Sequence, residues 1–268
     1  MGVSLKFSEV GVTIDQAALL RELQQARSGD PFLTWRVDPL SIEGVATDGD
    51  HAAWTGRRRD RTERWATVLG DDAKRVTALL RALDGLVPLD GVTVHASAYE
   101  TLPREFRAPV TGHWSLWFLD ANRITEATRR FAAPATILDP DDPRIDELLR
   151  HSDSAHVFAS SPSIIRWAGV ERNGRLLAIA GQEVESSGAA HLVSVCCDPE
   201  FRGMGYARTV CSRLVVEAAS DGSPVVILEM YAANAAGRAL YSAIGFTEAR
   251  QYQSGLLRPT ISPAVNAP

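Results

Sequence analysis

Cysteine is scarce in this 268-residue chain: Cys196, Cys197 and Cys211 are an odd three with no C-x-x-C spacing. That excludes a disulfide-stapled framework and a thiolate zinc cage, and makes a reducing cytoplasm the expected compartment. The six histidines are scattered without the helical i, i+4 pair of a zinc hydrolase, so no metal is expected. Long apolar runs are missing too. Nothing approaches the ~20 residues that a membrane-spanning helix needs, and Met1 to Val10 alternates polar and apolar without a signal-peptide core. Nor is there an excess of positive charge. With 33 acidic against 28 basic side chains the formal charge is −5, which gives no general pull toward nucleic acid or an anionic membrane. The G-x-G-x-x-G and G-K-[ST] nucleotide loops are both absent.

What is present is an ordinary globular composition, 45% hydrophobic and 23% charged, at a length that suits two modest domains. The expected boundary is 131–143, where three prolines and three aspartates interrupt periodicity. It divides an N-terminal domain, 1–130, from a second domain, 144–258, with a tail at 259–268. In the first, apolar spacing predicts helices over Asp15–Arg27 and Asp72–Leu83, and strands at Trp65–Leu69, Val92–Ala96 and Trp114–Leu119. The run Arg57–Arg61 reads as a solvated hairpin tip. Trp114, Trp117 and Phe118 read as core more readily than as a binding wall.

The second half has a clearer rhythm. A short helix starts at Pro143. A hairpin, Trp167–Glu171 and Leu176–Glu183, turns at Asn173-Gly174, a type I′ signal. A third strand, His191–Cys197, leads into a helix from about Gly205 to Ser220. Val225–Met230 is a buried strand, Asn234 caps a helix ending near Ala243, and Phe246 opens a last strand.

The strand-to-helix turn Arg202-Gly203-Met204-Gly205-Tyr206-Ala207 carries the chemistry. The first turn of a helix leaves backbone N–H groups unpartnered and adds partial positive charge. Gly203, Gly205 and the small Ala207 keep side chains away from those amides, and Arg202 adds a cation. Such a turn suits a pyrophosphate; its bland reading is a tight glycine turn.

Arg202–Ala207 resembles the R/Q-x-x-G-x-G/A motif of the GNAT superfamily, the acyl-CoA-dependent N-acetyltransferases. Leu228-Glu229-x-x-x-x-Asn234, followed by Leu240-Tyr241-x-x-x-Gly245-Phe246, resembles the family's second signature, closest to the branch that acetylates N-terminal amines of ribosomal proteins. The likeness spans roughly Arg144 to Arg258.

It implies an α/β fold: a mixed, mostly antiparallel sheet flanked by helices, with the N-terminal half a second α/β domain. GNAT relatives such as the glycine N-acyltransferase-like enzymes carry a degenerate copy of the fold there. It also implies acetyl-CoA as donor. Val195 and Cys197 would offer backbone groups to the pantetheine arm. Arg202, Gly203, Met204, Gly205, Tyr206 and Ala207 would hold the phosphates, and Asn234 would touch CoA.

Glu229 would be proton acceptor and Tyr241 proton donor, with Glu183 the rival base. An amine must lose a proton to attack a thioester, and the departing thiolate benefits from an acid, so a carboxylate and a phenol suit the reaction. The expected function is N-acetylation of a small-molecule primary amine by direct attack. The alternatives are an amino-acid or N-terminal peptide acyltransferase and a non-catalytic acyl-CoA-binding module. An acyl-cysteine route through Cys196 or Cys197 lacks a neighbouring base, and His191 reads as an ordinary strand residue. Trp167 and Tyr206 are the expected acceptor contacts, and a chain beginning near Asp139 is expected to keep acyl-CoA binding.

Overall fold

The computed structural model describes residues 3–7, 15–57, 62–152 and 157–258. Most of the run Arg57–Arg61, and the tail 259–268, lie outside them. The chain forms two compact units, Met1–Trp114 with Arg250–Pro268, and Ser115–Ala249. That division does not fall at 131–143. Those residues hold the end of one helix and a paired strand, both inside the second unit.

The first unit runs β1 (Ser4–Phe7), α1 (Gln16–Ala26), β2 (Ile42–Asp48), β3 (His51–Arg57), β4 (Arg64–Leu69), α2 (Ala73–Asp84), β5 (Gly91–His95) and α3 (Ala96–Tyr99). Strand β6 (Gly112–Asp120) then leads into the second unit. That unit contains α4 (Glu126–Ala132), β7 (Thr136–Leu138), α5 (Pro143–Leu149), β8 (Arg166–Arg172), β9 (Arg175–Val184), β10 (Ala190–Cys197), α6 (Tyr206–Ser220), β11 (Val225–Tyr231) and α7 (Ala235–Ile244). The last strand, β12 (Thr247–Leu256), returns to the first unit.

Both units have the expected α/β character. In the first the strand order is β1-β2-β3-β4-β5-β12, antiparallel except for the parallel pair β4 and β5. In the second it is β7-β8-β9-β10-β11-β6, where β10 and β11 are parallel and β7 to β10 antiparallel. Each unit therefore repeats one theme: three antiparallel strands, a helix, a strand parallel to the third, and a shorter helix.

The local causes are legible. Asn173 and Gly174 both take positive φ, 54° and 79°, as a type I′ turn demands. Val76, Leu79, Leu80 and Leu83 bury one face of α2 completely. Along α6 the buried stripe is Val210, Cys211, Leu214, Val215 and Ala218, which packs on Ala168, Ala178, Ala180, Ala190, Leu192, Val226 and Leu228 of the sheet. Each buried Val or Leu contributes roughly 1.5–3 kcal/mol. The opposite face of the same sheet packs Trp167, Ile179 and Cys196 against Ile145, Leu148 and Leu149 of α5.

Candidate acyl-CoA site

The parallel pairing of β10 with β11 runs Ala190↔Val226, His191↔Ile227, Leu192↔Leu228 and then ends. On its other edge β10 shifts register against β9 between Val193 and Cys196. Ser194 sits at the shift with φ 50°, its Oγ donating to Val157 O at 2.7 Å. This bulge bends β10 as the strands part, so the segments holding Val195–Cys197 and Glu229–Tyr231 run on beyond the pairing. Nothing in the sequence marks the bulge, because Ser194 is not a glycine.

Beyond Cys197 the turn is braced. Asp198 accepts from Glu200 N at 3.0 Å and from Arg175 Nη2 at 2.5 Å, and Arg175 also pairs with Glu200 at 2.7 Å and lies over the Phe201 ring. Arg202 points back, with long contacts of 3.4 Å from its Nε to Cys197 O and 3.3 Å from Nη2 to His151 O. It therefore fastens the loop to the strand as well as charging it. Gly203 and Gly205 take φ of 78° and 87°, and a Cβ on either would meet nothing within 4 Å. The glycines thus serve the backbone conformation, and the space above them is open. Gly205 is the N-cap of α6 and supplies no side-chain acceptor, which leaves the first-turn amides of Tyr206 and its neighbours available to an anion. Met204 is exposed, and Tyr206 packs edge-on to Phe201.

Helix α7 brings the second motif to the same core. Asn234 Oδ1 accepts from Gly237 N at 2.8 Å, capping the helix. Gly237, which the motif reading passes over, is closely packed there: a Cβ would stand 2.8 Å from Met230 Sδ and from Asn234 Nδ2, so those side chains would have to shift. Tyr241 is buried in the α6-facing cluster, against which Val195, Cys197 and Tyr206 also pack, with its ring edge-on to Phe246. Its hydroxyl has no hydrogen-bond partner among the described residues. Burial, and secondarily the neighbouring Cys211, hold its pKa well above the ordinary phenol value. Glu229 is half-buried on β11.

The cysteines do not suit a covalent intermediate. Burial pushes Cys196 up to about 11 and Cys211 up to about 12, and raises Cys197 as well. Cys196 Sγ also donates to Leu148 O at 3.3 Å. One other sequence expectation is corrected: Trp167 is fully buried in the α5-facing core and cannot touch an acceptor. Trp117 is core, as its sequence setting leads one to expect, with its indole nitrogen bonded to Ser115.

The corresponding turn of the first unit, Gly70-Asp71-Asp72 between β4 and α2, is built differently. Asp72 caps α2 and accepts from both Lys74 N and Arg75 N. An internal carboxylate occupies the place where an anion would bind.

An uncapped glycine turn here follows a bulged strand beside a strand pair that splits, and residues 125–246, which contain it, match the model of the acetyltransferase (GNAT) family. Solved structures share the fold along nearly the whole chain, first half included. A GCN5-related N-acetyltransferase from Sphaerobacter thermophilus is 15% identical, covers 96% of each chain and has a TM-score of 0.56. A GNAT-family acetyltransferase from Colwellia psychrerythraea is 13% identical over 95% of this chain and 100% of its own, at 0.54. Among curated proteins, the ribosomal protein bS18-alanine N-acetyltransferase of Escherichia coli is 35% identical over 78 residues, 29% of this chain and 52% of that protein. The Salmonella typhimurium protein of the same name is 38% identical over 60 residues, 22% of this chain and 40% of its own length. The chain thus spans about half the length of the curated relatives it matches.

Proposed function

We propose that the protein is an N-acyltransferase that moves an acetyl group from acetyl-CoA to a primary amine by direct attack. The observation that carries this reading is the turn at Gly203 and Gly205, with open space above it and an uncapped α6 behind it. The amides of that helix and Arg202 would hold the donor's phosphates. Val195 and Cys197 would line its pantetheine arm at the split, and Asn234 would sit beside it. Glu229 would take the proton of the incoming ammonium, and Tyr241, kept protonated by burial, would return one to the departing thiolate.

The acceptor we favour is a small-molecule amine, met in the cytoplasm. A second reading, acetylation of a protein or peptide N-terminus, is supported by the names of the curated relatives. Incubating the protein with acetyl-CoA and either a panel of small primary amines or alanine-initiated peptides, while following free thiol, separates the two. Thiol release with neither panel, together with no thermal stabilisation by acetyl-CoA, would overturn the proposal.

A further inference from the structure

On the face of the second unit's sheet that turns away from α6, the sequence places a row of ionisable groups on three neighbouring strands. Ala190 and Leu192 of β10, and Val226 and Leu228 of β11, all lie in the α6-facing core. Strand alternation therefore turns His191 and Glu229 to the other face together. His191 is paired with Ile227, two residues before Glu229, and with Glu183 of β9 on its other side. Leu192↔Leu228 is the last pair before the strands part, so Glu229 stands one residue past the paired region on the same face as His191, and a proton passing between the two side chains would travel through water.

The imidazole is itself held. His191 is 6% exposed. Its Nδ1 lies 2.8 Å from Glu185 Oε1 in the turn after β9 and 3.9 Å from Glu183 Oε2. Ser163 in turn donates to Glu183 Oε1. A buried imidazole with one nitrogen fixed on a carboxylate has a set tautomer: Nδ1 carries the proton and Nε2 remains basic. Two half-buried carboxylates beside it would stabilise the imidazolium once Nε2 is protonated.

We propose that His191 is the onward proton acceptor of the reaction, receiving at Nε2 the proton that Glu229 removes from the acceptor ammonium. This rests on the acyltransferase reading above. The proton balance is explicit. The ammonium gives one proton to Glu229, which passes it to His191 and is again a carboxylate for the next turnover. The free amine attacks the thioester carbonyl, the C–S bond breaks, and Tyr241 protonates the thiolate and is reprotonated from the new amide nitrogen. One proton leaves through His191 to solvent. The charged groups within 4 Å of the imidazole are Glu183 on β9 and Glu185 after it, and Glu229 lies on the same sheet face of the neighbouring β11. His191 acts through Glu229 and is a positioning residue, not one that touches the acceptor.

The test uses the full chain in three arms. With acetyl-CoA and either benzylamine or an alanine-initiated hexapeptide, His191→Gln should lower kcat ~10-fold or more while leaving acetyl-CoA affinity unchanged, and added imidazole should restore part of the rate. Glu185→Gln should lower kcat as well, because a neutral amide supports the imidazolium less. The third arm needs no acceptor. Followed by nitrogen NMR at neutral pH, the His191 ring signals should differ between Glu229→Gln and the parent. Unaltered kinetics in both variants, or unchanged His191 ring signals in Glu229→Gln, overturns the relay. A parent that fails to bind acetyl-CoA overturns the acyltransferase reading instead, while the NMR arm still reports the coupling.

Discussion

In the proposed reaction Tyr241 is the proton donor, and burial decides which proton state it offers. A proton donor works in its protonated form, and a pKa held above the ordinary phenol value keeps it so through neutral and mildly alkaline pH. Any alkaline fall in kcat/KM due to Tyr241 is therefore expected only above about pH 10. Tyr241→Phe should lower kcat by ~10² with acetyl-CoA affinity intact; a variant as fast as the parent at every pH would remove Tyr241 from the mechanism. Burial acts in the same direction on the thiols. With Cys196 at about 11 and Cys211 at about 12, neither is a thiolate at neutral pH. Mass spectrometry after incubation with acetyl-CoA alone should find no acetylated cysteine peptide, and such a peptide would revive the covalent route. Gly205 is a separate case. Its added Cβ meets nothing, so Gly205→Ala costs only the positive φ, about 1–2 kcal/mol. The expected result is a folded protein with weakened acetyl-CoA binding, read by urea melts alongside a titration.

At the scale of elements, the contrast between α6 and α2 is chemical. Asp72 satisfies the first amides of α2 from within the chain, whereas Gly205 gives those of α6 no side-chain cap. At α7 the cap and the motif coincide, so Asn234→Ala should lower stability by about 1 kcal/mol in a urea melt, whatever it does to binding. Much of this was legible from the sequence. The hydrophobic spacing of α2 and α6, the Asn173-Gly174 turn and the all-apolar β11 each state their structure locally. Strand β2 does not, because Glu43, Gly44, Thr47 and Asp48 interrupt its apolar positions. Of the site, the glycine turn and the α7 motif could be read as a pattern. The bulge at Ser194 and the setting of His191 could not, since both depend on strand register. Trp167 was misleading because a large aromatic near a motif gives no sign of which sheet face it occupies.

For the whole molecule, the strand inventory changes where the chain can be cut. Strand β6 from Ser115 onward and the segment 131–143 belong to the second unit, and Trp117, Leu119 and Ala135 sit in its core. Losing even one large core side chain costs about 2–5 kcal/mol, against a typical total stability of about 5–15 kcal/mol. A chain beginning at Asp139 lacks all three residues, so it is expected to show no cooperative thermal transition and no acetyl-CoA binding, contrary to the expectation from the proline-rich boundary. Circular dichroism of that truncated chain checks it. The two units share a strand and helix order, yet among the described residues the second alone has an uncapped glycine turn. Their difference predicts one donor site per chain. Isothermal titration of the full-length protein with acetyl-CoA tests that most directly. The expected result is saturation at one acetyl-CoA per chain, with the heat strongly reduced in Gly205→Val. Binding of two, or binding that Gly205→Val leaves untouched, would contradict the assignment of the site to the turn ahead of α6.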